Sequence, residues 1–302
     1  MSDHLITLPS SFSSHSILAD IPGSSRFTYT NAAHLDWSWR GPRVLREISN
    51  MDADILSLQE LNRYEDVAAV LAPTHAALFV PKLYSPAVRV GSGAPPDGVA
   101  LFVRRRFEIV DVEVLYIRSR TTGLLSNQVA LIATLRDTVV AGGSRFLVVA
   151  ATHLASGVGA ESDVIRAEQA ATVVSAARSA VVRAKSFISN STKCTVPTIL
   201  LGDLNSEPTS PAAHAIALTL NGDSGGASVF EKPDFTTYKW TGNSPPKLAR
   251  RTVDYIWLTK DKGLSIGARR RLPTETQIGE YGLPSEEWPS DHLPLAVKLV
   301  WD

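Results

Sequence analysis

Leu200-Leu201-Gly202-Asp203-Leu204-Asn205-Ser206-Glu207-Pro208, LLGDLNSEP, begins as an apolar run and ends as a polar loop. With Pro197, Thr198 and Ile199 ahead of it, the run has the length and composition of a buried strand. It stops on a carboxylate and, two residues later, a side-chain amide. In an extended segment residues two apart face the same way, so Asp203 and Asn205 are expected to reach one ligand. A buried carboxylate without a partner costs several kcal/mol (about 2–7 for a merely polar group, more for a charge), so a strand ending this way needs a reason.

Seven more short apolar runs share that character: DILSLQ (54–59), GVALFV (98–103), FEIVDVEVLYI (107–117), NQVALIATL (127–135), RFLVVAATHL (145–154), TVDYIWL (252–258) and HLPLAVKLVW (292–301). Helical patterns lie between them, at SWRGPRVLREISNMD, LNRYEDVAAVLA, PTSPAAHAIALTL and, longest, 162–187. In the last, Val164, Ala167, Ala171, Val174 and Val181 recur at helical spacing and predict the buried face, with Ser162 and Asp163 as helix starters. Some strands follow one another without a helix between. This mixture predicts an α/β fold with mixed sheets. The stretches 84–97 and 221–250 are Pro-, Gly- and Ser-rich and read as long loops.

Polar residues recur at the ends of these strands. Gln59-Glu60 closes one, Thr152-His153 a second and Asp203 with Asn205 a third. Asp254 interrupts TVDYIW, and Ser290-Asp291-His292 precedes the last. Taken singly each has an ordinary reading: Glu60 as a helix N-terminal carboxylate, Asp254 as a partner of Arg250 or Arg251, Asp291 as a turn residue. Taken together they suit a hard divalent ion and a phosphate, because magnesium prefers oxygen ligands, few of them carboxylates.

The ordered motifs LQEL, ATHL, GDLNSEP, TVDYIW and PSDHLPL resemble the endonuclease/exonuclease/phosphatase superfamily. ILAD at 17–20, HLDWSWRGPRVLREISNMDADILSLQEL at 34–61 and PPDGVALFVRRRFEIVD at 95–111 narrow the likeness to the carbon-catabolite-repressor-type deadenylase group, which includes nocturnin and the Angel proteins. That resemblance implies a four-layer DNase I-like α/β sandwich, two central mixed sheets face to face with helices outside. It implies a tail over residues 1–15 and a single domain over 16–302. Glu60 is implied as a ligand of Mg2+, with Mn2+ as a substitute, and Asp291 as holding a second metal or a water. Asp203 is implied to position or deprotonate the attacking water, Asn205 and His153 to bind the phosphoryl group, and Asp254 to orient His292.

Two positions depart from the group. Ser16 stands where an Asn helps the metal–phosphate centre. Leu248, Ala249, Arg250 and Arg251 stand where an adenine-stacking aromatic precedes the DYI strand. The nearest upstream aromatic is Trp240, read equally as loop packing. Arg250 and Arg251 read as contacts for an extra phosphate or as surface charge.

Thirty basic and thirty acidic side chains balance, so non-specific binding to long nucleic acid is expected to be weak and phosphate recognition local. Cys194 is the single cysteine, so an internal disulfide is excluded. GDSGG at 222–226 copies a serine-protease motif but lacks its partners and is set aside. The reading is therefore a magnesium-dependent phosphohydrolase acting on RNA 3′ ends, not strictly specific for poly(A). A phosphatase for 2′,3′-cyclic phosphate ends or for a 2′-phosphorylated nucleotide such as NADP stands as the alternative, and an inactive RNA-binding relative as a third. A monomer without membrane attachment or obligate protein partner is expected, in the cytoplasm, with nucleus and mitochondrion as alternatives.

Overall fold

A computed structural model describes residues 10–17, 27–89, 93–139, 145–188, 195–220, 226–228, 235–240, 247–260 and 262–302. Cys194, residues 18–20 of ILAD and residues 222–225 of GDSGG lie outside the described residues.

Two six-stranded mixed sheets form the centre. The first runs β13 (Leu264–Arg269), β14 (Leu295–Trp301), β1 (Ser10–Ser16), β2 (Ile55–Gln59), β4 (Gly98–Arg104), β3 (His75–Pro81). The second runs β5 (Phe107–Arg118), β6 (Leu125–Asp137), β7 (Arg145–His153), β8 (Thr198–Asp203), β12 (Asp254–Thr259), β9 (Gly226–Ser228). Each has one parallel pair at its centre, β1 with β2 and β7 with β8, and antiparallel neighbours outside it.

Alternation along the strands builds three apolar layers. Val129, Leu131 and Ala133 of β6 face the other sheet, where Ile55, Leu101 and Val297 meet them. Ala130 and Ile132 face outward onto α5 (Ala160–Ser186) and α6 (Pro211–Leu220). On the other outer face Leu56, Leu58 and Phe102 pack beneath α2 (Trp37–Met51) and α3 (Tyr64–Leu71). The result is the expected four-layer sandwich. Short helices α1 (Ala32–Leu35), α4 (Pro86–Arg89) and α7 (Glu275–Ile278) and a hairpin of β10 (Thr237–Trp240) and β11 (Leu248–Arg251) complete it. Among the described residues no helix is long and apolar enough to cross a membrane.

Three expectations change. Residues 10–15, expected as part of a tail, belong to β1, which begins at Ser10 and lies between β14 and β2. Its sequence, SSFSSHS, lacks the apolar alternation of a strand, and hydrogen bonds to the neighbouring strands let serines be buried instead. Ser13 Oγ donates to Leu295 O at 2.8 Å and Ser14 Oγ to Gln59 Oε1 at 3.4 Å. On α5 the buried face is Arg166, Gln169, Ala170, Val173, Val174, Ala177, Ala180 and Ala184, whereas Val164 is exposed. Alanines let this helix sit close to the sheet, so size, not only hydrophobicity, selected the face. The stretch 221–250 carries β9, β10 and β11, not one long loop.

Candidate active site

The carboxyl ends of both parallel pairs lie at one edge of the sandwich, with β1 and β2 facing β8. In the second sheet the register is decisive. His153 is the partner of Asp203 across β7–β8, and Asp254 is its partner across β12–β8. Three side chains from distant segments therefore stand at one level, fixed by backbone hydrogen bonds. Gly202 makes this approach possible: its φ is 151°, and a Cβ there would sit 2.0 Å from Thr152 O.

Beyond Asp203 the strand ends, and Asn205 adopts the left-handed region at φ 49°. Simple alternation thus gives way to a turn, in which the Asn205 N–H donates to Asp203 Oδ1 at 2.8 Å. The turn carries Asn205 toward β7, where Nδ2 donates to Leu154 O at 3.1 Å and lies 3.1 Å from His153 Nε2. Lys82, paired with Asp97 at 2.6 Å, points its ammonium at His153 Nδ1 from 3.2 Å. An ammonium only donates, so Nδ1 accepts and the ring proton sits on Nε2. Two donors, His153 Nε2–H and the Asn205 amide, thereby converge, with Asp203 Oδ2 3.6 Å from Nε2.

His292 Nδ1 donates to Asp254 Oδ2 at 2.8 Å and lies 3.9 Å from Asp203 Oδ2. Thr236 Oγ1 accepts from the Asp254 N–H at 3.1 Å and fixes the start of β12. Burial lowers the imidazole's pKa, but Asp254 and Asp291 outweigh burial and push it up to about 9. Asp203 moves upward, first through burial and then through the charge of Asp254, with Glu60 adding to it. The site therefore concentrates negative charge around one buried carboxylate.

The first sheet contributes Ser16, opposite Gln59 in register, and Glu60, held in the left-handed region at φ 54°. A non-glycine residue there costs on the order of 1–3 kcal/mol and persists only where its surroundings fix it. Ser16 Oγ and Asp254 Oδ1 are buried without hydrogen-bond partners. Oxygen donors, two orphaned buried oxygens and a surplus of carboxylate charge fit a hard divalent cation. Ligand atoms of Asp203, Asp254 and His292 also lie within 4.8 Å of one another. There, however, the imidazole is engaged as a donor to Asp254, which suits acid–base work better than ligation.

A family model described as Endonuclease/Exonuclease/phosphatase family matches residues 34–292. The chain belongs to that family. Human nocturnin is 33% identical over 281 residues, covering 90% of this chain and 60% of that protein, so the chain spans about 60% of this relative's length. The human nocturnin catalytic domain with bound sulfate superposes with a TM-score of 0.74 at 27% identity, covering 98% of this chain and 97% of that one. ANGEL2, described as a 2′,3′-cyclic phosphatase, shares the fold with a TM-score of 0.73 at 22% identity, covering 97% and 95%.

Three further residues expected to contact the ligand lie on the β10–β11 hairpin. Arg250 is exposed and paired with Glu275 at 2.6 Å. Arg251 is paired with Glu207 at 2.9 Å and reaches Asn205 O at 3.5 Å. Trp240 is half-buried at the end of β10, opposite Leu248. Two lysines went unread from sequence. Lys82 gave one signal, a cation directly after a strand-ending proline. Lys239 gave another, two residues after Thr237 on the same face of FTTYKW. Lys239 Nζ is ion-paired with Asp291 Oδ2 and lies 3.5 Å from His292 Nε2.

Proposed function

We propose that this chain is a magnesium-dependent phosphohydrolase acting on RNA 3′ ends without strict preference for poly(A). The observation that carries the reading is the alignment of His153, Asp203 and Asp254 on three adjacent strands, with His292 hydrogen-bonded to Asp254. Glu60, with Ser16 from the neighbouring strand opposite Gln59, would hold the cation. When bound, Mg2+ (or Mn2+) polarises a phosphoryl oxygen and stabilises the charge that develops there.

The chain's own groups supply the rest. A phosphoryl oxygen placed between His153 Nε2–H and the Asn205 amide accepts from both, which relieves the approach of two donors at 3.1 Å. Asp203, with its proton affinity raised, takes a proton from the attacking water. As the water oxygen bonds to phosphorus, the bond to the leaving oxygen breaks on the opposite side, and the leaving oxyanion takes up a proton from solvent. The His292 imidazolium, steadied by Asp254, donates to the charged phosphoryl group. The similar nocturnin catalytic domain is described with a bound sulfate, an oxyanion of the same shape and charge class as phosphate.

A second reading, a phosphatase for 2′,3′-cyclic phosphate ends or a 2′-phosphorylated nucleotide, is favoured by one observation. β11 (Leu248–Arg251), directly before Asp254, offers no aromatic ring to stack on a base, a contact worth about 1–3 kcal/mol. The activity printed for ANGEL2 agrees with it. A panel of oligo(A), mixed-sequence RNA, RNA ending in 2′,3′-cyclic phosphate and NADP, each with magnesium or EDTA, decides. The proposal expects magnesium-dependent shortening of both RNAs at similar rates. Hydrolysis of only the cyclic end or of NADP establishes the second reading, and turnover in EDTA overturns both.

A further inference from the structure

We infer that Lys239 takes the place of a second divalent cation at Asp291, so that the site works with one metal ion, the one Glu60 would hold. The inference rests on the metal-dependent reading above and replaces the sequence expectation that Asp291 is itself a metal ligand.

Three observations carry it. First, Asp291 is buried, and a buried carboxylate needs a cation or several donors. Lys239 supplies the cation directly, pairing with Oδ2 from a side chain that is itself mostly covered. Second, the lysine is delivered by a braced strand. Thr237 and Lys239 share one face of β10: Thr237 Oγ1 donates to the Asp291 carbonyl at 2.7 Å, while Lys239 takes the carboxylate. The strand is tied to the chain flanking Asp291 by Leu293 N donating to Thr236 O at 2.8 Å and Leu283 N to Tyr238 O at 2.6 Å. Third, the groups around Asp291 Oδ2 suit no hard metal. His292 Nε2 lies 3.8 Å from it and Lys239 Nζ 3.5 Å from that nitrogen. A divalent ion entering there would meet an ammonium and a nitrogen of an imidazole paired with Asp254, not the oxygen shell that magnesium requires. The ammonium thus contributes a fixed positive charge beside the phosphate-facing edge of His292 and needs no metal to do so.

Counting bound Mn2+ by the EPR signal of the free ion tests this without reference to activity. The metal-stripped full chain is titrated as wild type, Lys239→Met, Lys239→Arg, Lys239→Met/Asp291→Asn and Glu60→Gln, with circular dichroism melts run alongside. Expected are one Mn2+ per chain for wild type and Lys239→Arg, two for Lys239→Met, one again for the double variant, and at least a tenfold weaker site for Glu60→Gln. Two ions in the wild type, or one in a folded Lys239→Met, overturns the inference while leaving the metal-dependent reading intact. No bound Mn2+ in the wild type overturns that reading and the inference with it. Should Lys239→Met not fold, Lys239→Gln takes its place, and the wild-type count decides by itself whether Asp291 already holds an ion.

Discussion

Both sheets centre on a parallel pair whose carboxyl ends reach the site, yet they deliver side chains differently. The second sheet presents His153, Asp203 and Asp254 from positions that stand opposite one another in the ladder. The first presents Ser16 from its ladder but Glu60 from one residue past it, in a left-handed turn. Ladder positions are held by repeated backbone hydrogen bonds, so their spacing is set before any ligand arrives. An off-ladder residue is held by what surrounds it and can adapt to an ion. The difference suits a division in which the second sheet's ladder carries His153, Asp203 and Asp254, turns beyond β8 and ahead of β14 add Asn205 and His292, and the segment past β2 carries the metal ligand.

Variants separate the two halves. Asp203→Asn removes the water-activating group, and activity should fall on the order of 10³–10⁴-fold, at the upper end for a general base. The melting temperature should hold or rise, because a buried carboxylate is gone. Excess magnesium should not rescue it. Glu60→Asp should lose a comparable factor but recover part of it at raised magnesium, which a metal titration of the rate reads directly. Equal rescue of both would erase the proposed division.

The next effect is structural. Gly202→Ala places a methyl 2.0 Å from Thr152 O and forces β7 and β8 apart. A loss of about 3 kcal/mol in urea unfolding is expected, from combined backbone strain and overpacking. A loss below about 1 kcal/mol would mean that the strand pair adapts and that the register does not fix the site.

The smallest effect concerns pH and belongs to the first sheet. His15 on β1 and His75 at the start of β3 both have lowered pKa values, burial being the main cause. His75 is satisfied as the neutral ring, its Nε2 donating to Ala53 O at 2.9 Å and its Nδ1 accepting from Thr74 at 2.8 Å. A folded-state pKa below the ordinary 6.5 gives stability that is complete above 6.5 and is lost as pH falls through the folded value. His292 has the opposite sign: its contribution is complete below 6.5 and is lost as pH rises through about 9. Asp203, pushed up to about 7, loses its contribution as pH rises from 3.8 through that value and so opposes the acid-side effect of the histidines; the His75 share is therefore read as the difference in unfolding free energy between wild type and His75→Gln, both metal-free, from pH 5 to 10. His75→Gln should flatten the acid limb alone, by about 1 kcal/mol or less.

What was legible in the chain follows the same split. β-Branched apolar runs marked β2, β4 to β8, β12 and β14, and the polar residues closing them marked most of the second-sheet site. β1 was hidden because buried serines satisfied by hydrogen bonds look like a surface segment. β3, HAALFVP, was hidden by its alanines. Two of the groups that set charge and tautomer around the histidines, Lys82 and Lys239, gave little signal because a lone lysine near a strand end is usually solvated. Their partners, Asp97 and Asp291, come from segments 15 and 52 residues away, and only the fold brings each pair together.

The most direct test of the shared site is hydrolysis of a 3′-labelled RNA by wild type and Asp203→Asn, each in magnesium and in EDTA, with melting curves for both. Turnover by the wild type in magnesium alone, and by the variant in neither condition at a melting temperature no lower than the wild type's, is the predicted result. Comparable turnover in EDTA, or by a folded Asp203→Asn, would contradict the account.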